Sequence, residues 1–179
     1  AKGANFIKLG YEYTGVLRVL ETLLRYDYFW TRIRVQGGAY GAMTQFNRNG
    51  FMVLASYRDP NLAETFRIFD ETADYIRAFD ASDREMDKFI IGTMSGVDAP
   101  LTPQMKGDMA ATFYLRGITQ EDRQRARDEI LTATQADIRA LAPLIEDAMR
   151  ADVLCVLGGE EKLKENAALF GEVRPALHI

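Results

Sequence analysis

The sequence predicts an α+β fold, and three observations carry that prediction. Apolar stripes of helical period alternate with short strand-like runs. A polar turn rich in Asn and Gly joins two of those runs into a hairpin. A last apolar run near the far end of the chain supplies a fourth strand after a long helical stretch.

The elements follow in order. Asn5-Phe6-Ile7-Lys8-Leu9 reads as a short strand closed by Gly10. From Thr14 the apolar positions Val16, Leu17, Leu20, Leu23 and Leu24 fall on one helical face, and Tyr26, Tyr28, Phe29, Trp30 and Ile33 carry the pattern to Arg34. Gly37-Gly38 ends that helix, because each glycine costs about 1 kcal/mol relative to alanine inside a helix. Ala39 to Phe46 and Phe51 to Tyr57 are the hairpin strands, with Asn47-Arg48-Asn49-Gly50 between them. Asp59-Pro60-Asn61 closes the pair, and Asn61 with Glu64 resembles a capping box for a helix carrying Leu62, Phe66, Phe69, Ala73 and Ile76 on one face. Ser82 with Glu85 opens a further helix in the same way, running to about Met94.

Ser95 to Leu101 reads as a loop, after which Thr102-Pro103 starts a helix that stops at Gly117. Thr119 caps the next, and Gln135 begins another that Pro143 kinks or restarts. Asp152 to Leu157 reads as a buried strand, Gly158-Gly159 as a turn, and Glu160 to Leu169 as a short helix. The plan is β-α-β-β-α-β, that of ferredoxin-like motifs, with helices over one face of a mostly antiparallel sheet. The helical block from Ser82 to Leu115 is then an insertion before the last strand. No linker or repeat divides residues 1–179, so a single domain is expected.

Composition sets limits on function. The chain has 179 residues, 47% hydrophobic and 27% charged, enough to bury a core without metal or disulfide support. A net charge of -4 gives no basic field for nucleic acid. No uncharged apolar run approaches membrane length and no signal peptide is visible, so neither nucleic acid nor membrane is an expected partner. A cytoplasmic or an organelle-matrix home suits the composition equally. The chain begins Ala-Lys-Gly, as a processed protein, a tag-trimmed one or a piece of a longer one would.

The one cysteine, Cys155, excludes an internal disulfide and reads as a core thiol; the one histidine, His178, excludes a two-histidine metal site. A nucleophilic triad would have to recruit that penultimate residue. No metal and no cofactor are expected in this chain.

One segment is unusual. Arg34-Val35-Gln36-Gly37-Gly38-Ala39-Tyr40-Gly41 joins a helix end to a strand, with a fork of donors at Arg34 and a hydroxyl at Tyr40, both suited to gripping carbonyl oxygens. Gly37 and Gly38 permit close approach of a foreign backbone. A plain helix-to-strand turn, with Arg34 solvated and Tyr40 half-buried, accounts for the same residues. Gly158-Gly159-Glu160-Glu161 reads as a helix start rather than an anion site, since carboxylates already occupy its positive end. Asp80, Asp83, Glu85 and Asp87 read as a solvated face.

Several segments together resemble a known family. Asn5-Phe6, Gly10-Tyr11-Glu12-Tyr13-Thr14-Gly15, Trp30-Thr31-Arg32-Ile33-Arg34, Gly37-Gly38-Ala39-Tyr40-Gly41 and Ser56-Tyr57-Arg58-Asp59-Pro60-Asn61 are similar to the presequence-protease branch of the insulinase (pitrilysin-type) zinc metallopeptidases. The similarity continues through Leu101-Thr102-Pro103 and Ala136 to Leu141. It implies the last, non-zinc domain of a four-domain clamshell that degrades unstructured peptides. Zinc is then expected on an inverted H-x-x-E-H helix of another domain, which this sequence lacks. The implied partners are that catalytic domain, the neighbouring domains of the same polypeptide, and peptide substrates. Arg34 and Tyr40 match the arginine and tyrosine that reach the substrate in trans, with Gly37 and Gly38 between them, so this chain alone is expected to be inactive. Related domains without zinc ligands serve as scaffolds in processing-peptidase partners and respiratory core subunits. That leaves a structural, self-associating module as the alternative.

Overall fold

The protein, seen in a computed structural model, is described for residues 1–175; His178, and with it any triad that would use it, lies outside them. Four strands form one antiparallel sheet: β1 (Lys2–Asn5), β2 (Gly41–Phe46), β3 (Phe51–Tyr57) and β4 (Val153–Leu154), in the order β2-β3-β1-β4. This is the α+β arrangement that the element order predicts, the first strand lying between the third and fourth. The helices are α1 (Val16–Leu23), α2 (Leu62–Asp70), α3 (Thr72–Arg77), α4 (Asp83–Val97), α5 (Pro103–Leu115), α6 (Gln120–Leu131), α7 (Gln135–Ala140), α8 (Ala142–Arg150) and α9 (Glu160–Glu165).

Alternation along the strands decides which face is covered. Met52 and Leu54 of β3, and Thr44 and Phe46 of β2, point inward and are buried. α1 packs against β2 and α8 against β1, so Leu17, Leu20, Ile145 and Ala148 close the core over that face. On the other face Met43, Phe51, Tyr57 and Val153 stay exposed. Lys2 points inward from β1, only 5% exposed. Its ammonium bridges Asp70 at 2.7 Å and Asp152 at 2.8 Å. Burial pulls the Lys2 pKa down, but the bonds to Asp152 and Asp70 outweigh it and leave it above its ordinary value.

Where caps are local the sequence reading holds. Ser82 with Glu85 and Thr119 with Asp122 form reciprocal capping boxes, and the Thr102 hydroxyl accepts from the Met105 amide at 3.3 Å. Pro143 separates α7 from α8 as a restart. The hairpin turn closes with Asn47 N–H donating to Phe51 O at 2.9 Å, and Gly50 takes φ 85°.

Six expectations are corrected. The first strand is Lys2–Asn5, not Asn5 to Leu9: Phe6 N–H reaches Gly50 O at 2.8 Å, then the chain turns, with Gly10 at φ 94°. The apolar Phe6-Ile7 pair is therefore a corner whose Phe6 is driven into the core. The helix from Asn61 breaks at Glu71 into α2 and α3. Asn61 makes no side-chain cap bond; its side-chain amide goes to Gly37 O instead, and Glu64 pairs with Arg67. The last strand covers two residues rather than six, because its β1 partner runs out, and Cys155 is exposed rather than a core thiol. The helix after Gly159 ends at Glu165, with a separate 3-10 turn over Ala167–Leu169.

Candidate functional site

The helix that begins with α1 does not stay regular up to Gly37. It widens into π-helical turns over Leu24–Tyr28 and Trp30–Gln36. Phe29 and Ile33 remain fully buried through this stretch, so the widening is anchored from inside. π-helical turns recur at functional sites because they redirect side chains that an α-helix would stack differently. Here Trp30 and Arg34 end up one over the other, the guanidinium carbon 4.2 Å from the ring centroid. A small cavity of about 150 Å³ lies beside them, lined also by Arg25, Tyr26, Gly41 and Ala42.

The two glycines serve the turn from within. A Cβ on Gly37 would stand 2.6 Å from Ile33 O, so only glycine lets the widened helix close there. Gly38 has φ 76°, the left-handed region that L side chains avoid. Gly38 N–H donates to Arg34 O at 2.9 Å and Ala39 N–H to Ile33 O at 3.2 Å, finishing the helix. Asn61, from the start of α2, donates its side-chain amide to Gly37 O and ties the corner to the next layer.

Tyr40 leaves this corner as the residue ahead of β2. Its backbone N–H is held by Tyr57 O at 3.1 Å, while the residue is 65% exposed and its ring meets the Tyr57 ring edge-on at 5.9 Å. Arg58 lies over both rings, at 5.8 Å from Tyr40 and 5.4 Å from Tyr57. Its own backbone is at φ 48°, unusual for a non-glycine residue and imposed by the sharp exit from β3. Arg34 and Tyr40 thus stand before and after Gly37-Gly38 along the chain, each on its own aromatic support. Among the described residues neither the Arg34 guanidinium nor the Tyr40 hydroxyl has a hydrogen-bond acceptor, so both present free donors to an incoming group.

Behind the corner Tyr28 stacks on Tyr75 at 4.2 Å and donates to Ile68 O at 3.2 Å. Burial pushes the Tyr28 phenol up to about 12. Burial and the hydrogen bond to Asp27 raise Tyr75 as well. The sequence reading gives Trp30, Tyr57 and Arg58 no part in supporting this corner, and it assigns Asn61 to a helix cap rather than to Gly37. Their signal was their place in the Trp30–Arg34 and Ser56–Asn61 runs.

The donor set does not fit zinc. Cys155 and His178 are the chain's one cysteine and one histidine. Among the described residues no group of three His, Cys, Asp or Glu side chains converges as a metal site would require. Glu85 is engaged in its capping box and Asp80 pairs with Arg139 at 3.4 Å. Among the described residues no helix is long and apolar enough to cross a membrane.

An antiparallel sheet helix-covered on one face, with exposed donor side chains before and after one glycine corner, defines an α+β domain. The chain belongs to the PreP C-terminal domain family, whose model matches residues 1–157. Protein HypA of Clostridium perfringens is 45% identical over 177 residues, covering 99% of this chain and 18% of that protein. Presequence protease 1, chloroplastic/mitochondrial, of Arabidopsis thaliana is 36% identical over 180 residues, 98% of this chain and 17% of that protein. The mitochondrial presequence protease of Emericella nidulans is 35% identical over 155 residues, covering 86% and 14% respectively. The chain therefore spans less than a fifth of the length of these relatives.

Proposed function

We propose that this chain is the substrate-holding, non-metal domain of a longer zinc metalloendopeptidase that cleaves unstructured peptides. Arg34 and Tyr40 donate hydrogen bonds to the peptide near the bond being cut, and Gly37 and Gly38 set the corner that spaces them. One observation carries the reading: two donor side chains flank a rigid turn, exposed, aromatic-supported and without acceptors of their own. Relatives named presequence protease support the peptidase role.

A peptide carbonyl oxygen gains negative charge as its carbon is attacked. Donors already fixed in place stabilise that charge without reorganising, and removing one typically costs about 3 kcal/mol of barrier. The zinc expected of such an enzyme finds no ligand set among the described residues, and this reading assigns its ligands to another domain of the longer polypeptide. The role proposed for this chain uses only its own donors. They act in trans, completing the site when the domains close around the peptide.

The test is steady-state cleavage of an unstructured peptide by the complete protein. Arg34→Ala is expected to lower kcat/KM by on the order of 100-fold, with the circular-dichroism spectrum unchanged. Wild-type turnover in that variant would overturn the assignment and leave the chain a structural module.

A further inference from the structure

A hollow of about 910 Å³ opens at one end of the sheet, with Ala1 at its inner limit and Phe66 and Phe69 beneath. Its two walls are the end of β3 and the segment that follows β4. Strand phase determines what those walls offer.

β1 lies between β3 and β4. Its register with β3 stops at the pair Lys2 and Leu54, although β3 runs on to Tyr57. On the other side Ala1 and Cys155 exchange both backbone hydrogen bonds, each 2.9 Å. In an antiparallel ladder, successive residues turn their N–H and C=O alternately to one neighbour and the other. Tyr57 O accepts from Tyr40, so Tyr57 faces β2 and Ser56 faces the hollow. Cys155 faces β1, so Leu157, two residues on, faces the hollow from the opposite wall. Each wall therefore ends in backbone groups positioned to pair with one more length of strand.

We propose that this hollow is a strand slot, filled by about three residues directly ahead of Ala1 in the longer polypeptide. They carry β1 onward between Ser56 and Leu157, and 155–157 becomes true strand. The side-chain phase fixes the first of them. Lys2 points inward and Ala1 outward, so the residue directly ahead of Ala1 points inward, onto Phe66 and Phe69, and is apolar. The matched relatives are more than five times the length of this chain, which supplies the occupant. The slot also accounts for the apolar run Val153 to Leu157 reading as strand while only Val153–Leu154 pairs here. This inference holds whether or not Arg34 and Tyr40 touch peptide.

Hydrogen exchange on the complete protein, free of any peptide, tests it through the Ser56 and Leu157 positions. The Leu157 amide and the amide of the inserted residue opposite Ser56 are expected to exchange at least about tenfold slower than unprotected amides. Replacing the residue directly ahead of Ala1 by aspartate is expected to release both, leaving the Tyr40 amide protected. Unprotected exchange at both positions in the complete protein would overturn the proposal. So would protection that appears only when an unstructured peptide is added, since the slot would then belong to a ligand. A charged residue encoded directly ahead of Ala1 would contradict it too. If the aspartate variant fails to fold, the wild-type exchange pattern decides alone.

Discussion

Gly38 holds the corner by backbone conformation alone. At φ 76°, with only Pro60 Cγ within reach at 3.9 Å, it has room for a methyl group but not the conformation for one. Gly38→Ala is expected to cost about 1–2 kcal/mol in chemical denaturation, with no steric penalty beyond that. Trp30 supports Arg34 through an exposed cation–π contact at 4.2 Å, worth about 0.5–1 kcal/mol. Trp30→Ala is therefore expected to lower kcat/KM of the complete protein by about two- to fivefold, and Trp30→Phe to restore much of the loss. Thr44 Oγ1 is buried on the inner face of the sheet without a hydrogen-bond partner. Thr44→Val removes that unpaired hydroxyl at nearly constant shape and is expected to raise stability by about 1 kcal/mol. Tyr28 gives a pH signature. Its pKa is raised to about 12, above the unfolded value near 10. Its contribution is complete below that unfolded value and is lost as pH rises toward 12, so an alkaline denaturation series should show the fall and Tyr28→Phe should blunt it. At this scale the identities of Arg34, Gly37, Gly38 and Tyr40 were legible as an unusual run. The props beneath them were not, because Asn61 reaches Gly37 across 24 residues of sequence and nothing local announces that contact.

Elements were legible in proportion to how local their determinants are. Ser82, Thr102 and Thr119 announced helix starts because each cap closes within three residues. α1 is different. Gly15 stands at its N-cap without a side chain to offer, and Glu129 of α6 accepts from both the Gly15 amide and the Thr14 hydroxyl. A Cβ on Gly15 would stand 2.1 Å from Ala126 O, so the close approach of α6 demands glycine there. Glu129→Ala, which leaves those donors unmet at the positive end of α1, is expected to cost about 1–2 kcal/mol, measurable by urea denaturation. The π-helical turns over Trp30–Gln36 were read as ordinary helix, since their residue types fit either winding. The ends of the first and the last strand in the chain were both misplaced for one shared reason. A strand exists where a neighbour pairs with it, and the apolar runs Phe6-Ile7 and Cys155 to Leu157 say nothing about where that neighbour stops.

For the whole molecule, order of elements was enough to give the α+β arrangement, since a β-α-β-β-α-β order with one helical face leaves few alternatives. What it does not give is the partner of the bare sheet face, where Phe51, Tyr57 and Val153 remain exposed, or of α5, where Tyr114 and Leu115 do. The chain spans under a fifth of the relatives' length, and the longer polypeptide proposed above would cover those surfaces. The central claim is that this domain contributes donors to a reaction whose other groups lie elsewhere. Single-turnover cleavage of an unstructured peptide by the complete protein, comparing wild type with Tyr40→Phe, tests that claim by deleting one hydroxyl. The account predicts a cleavage step slowed on the order of 100-fold with peptide affinity nearly unchanged. An unchanged cleavage step, or a loss confined to affinity, would contradict it.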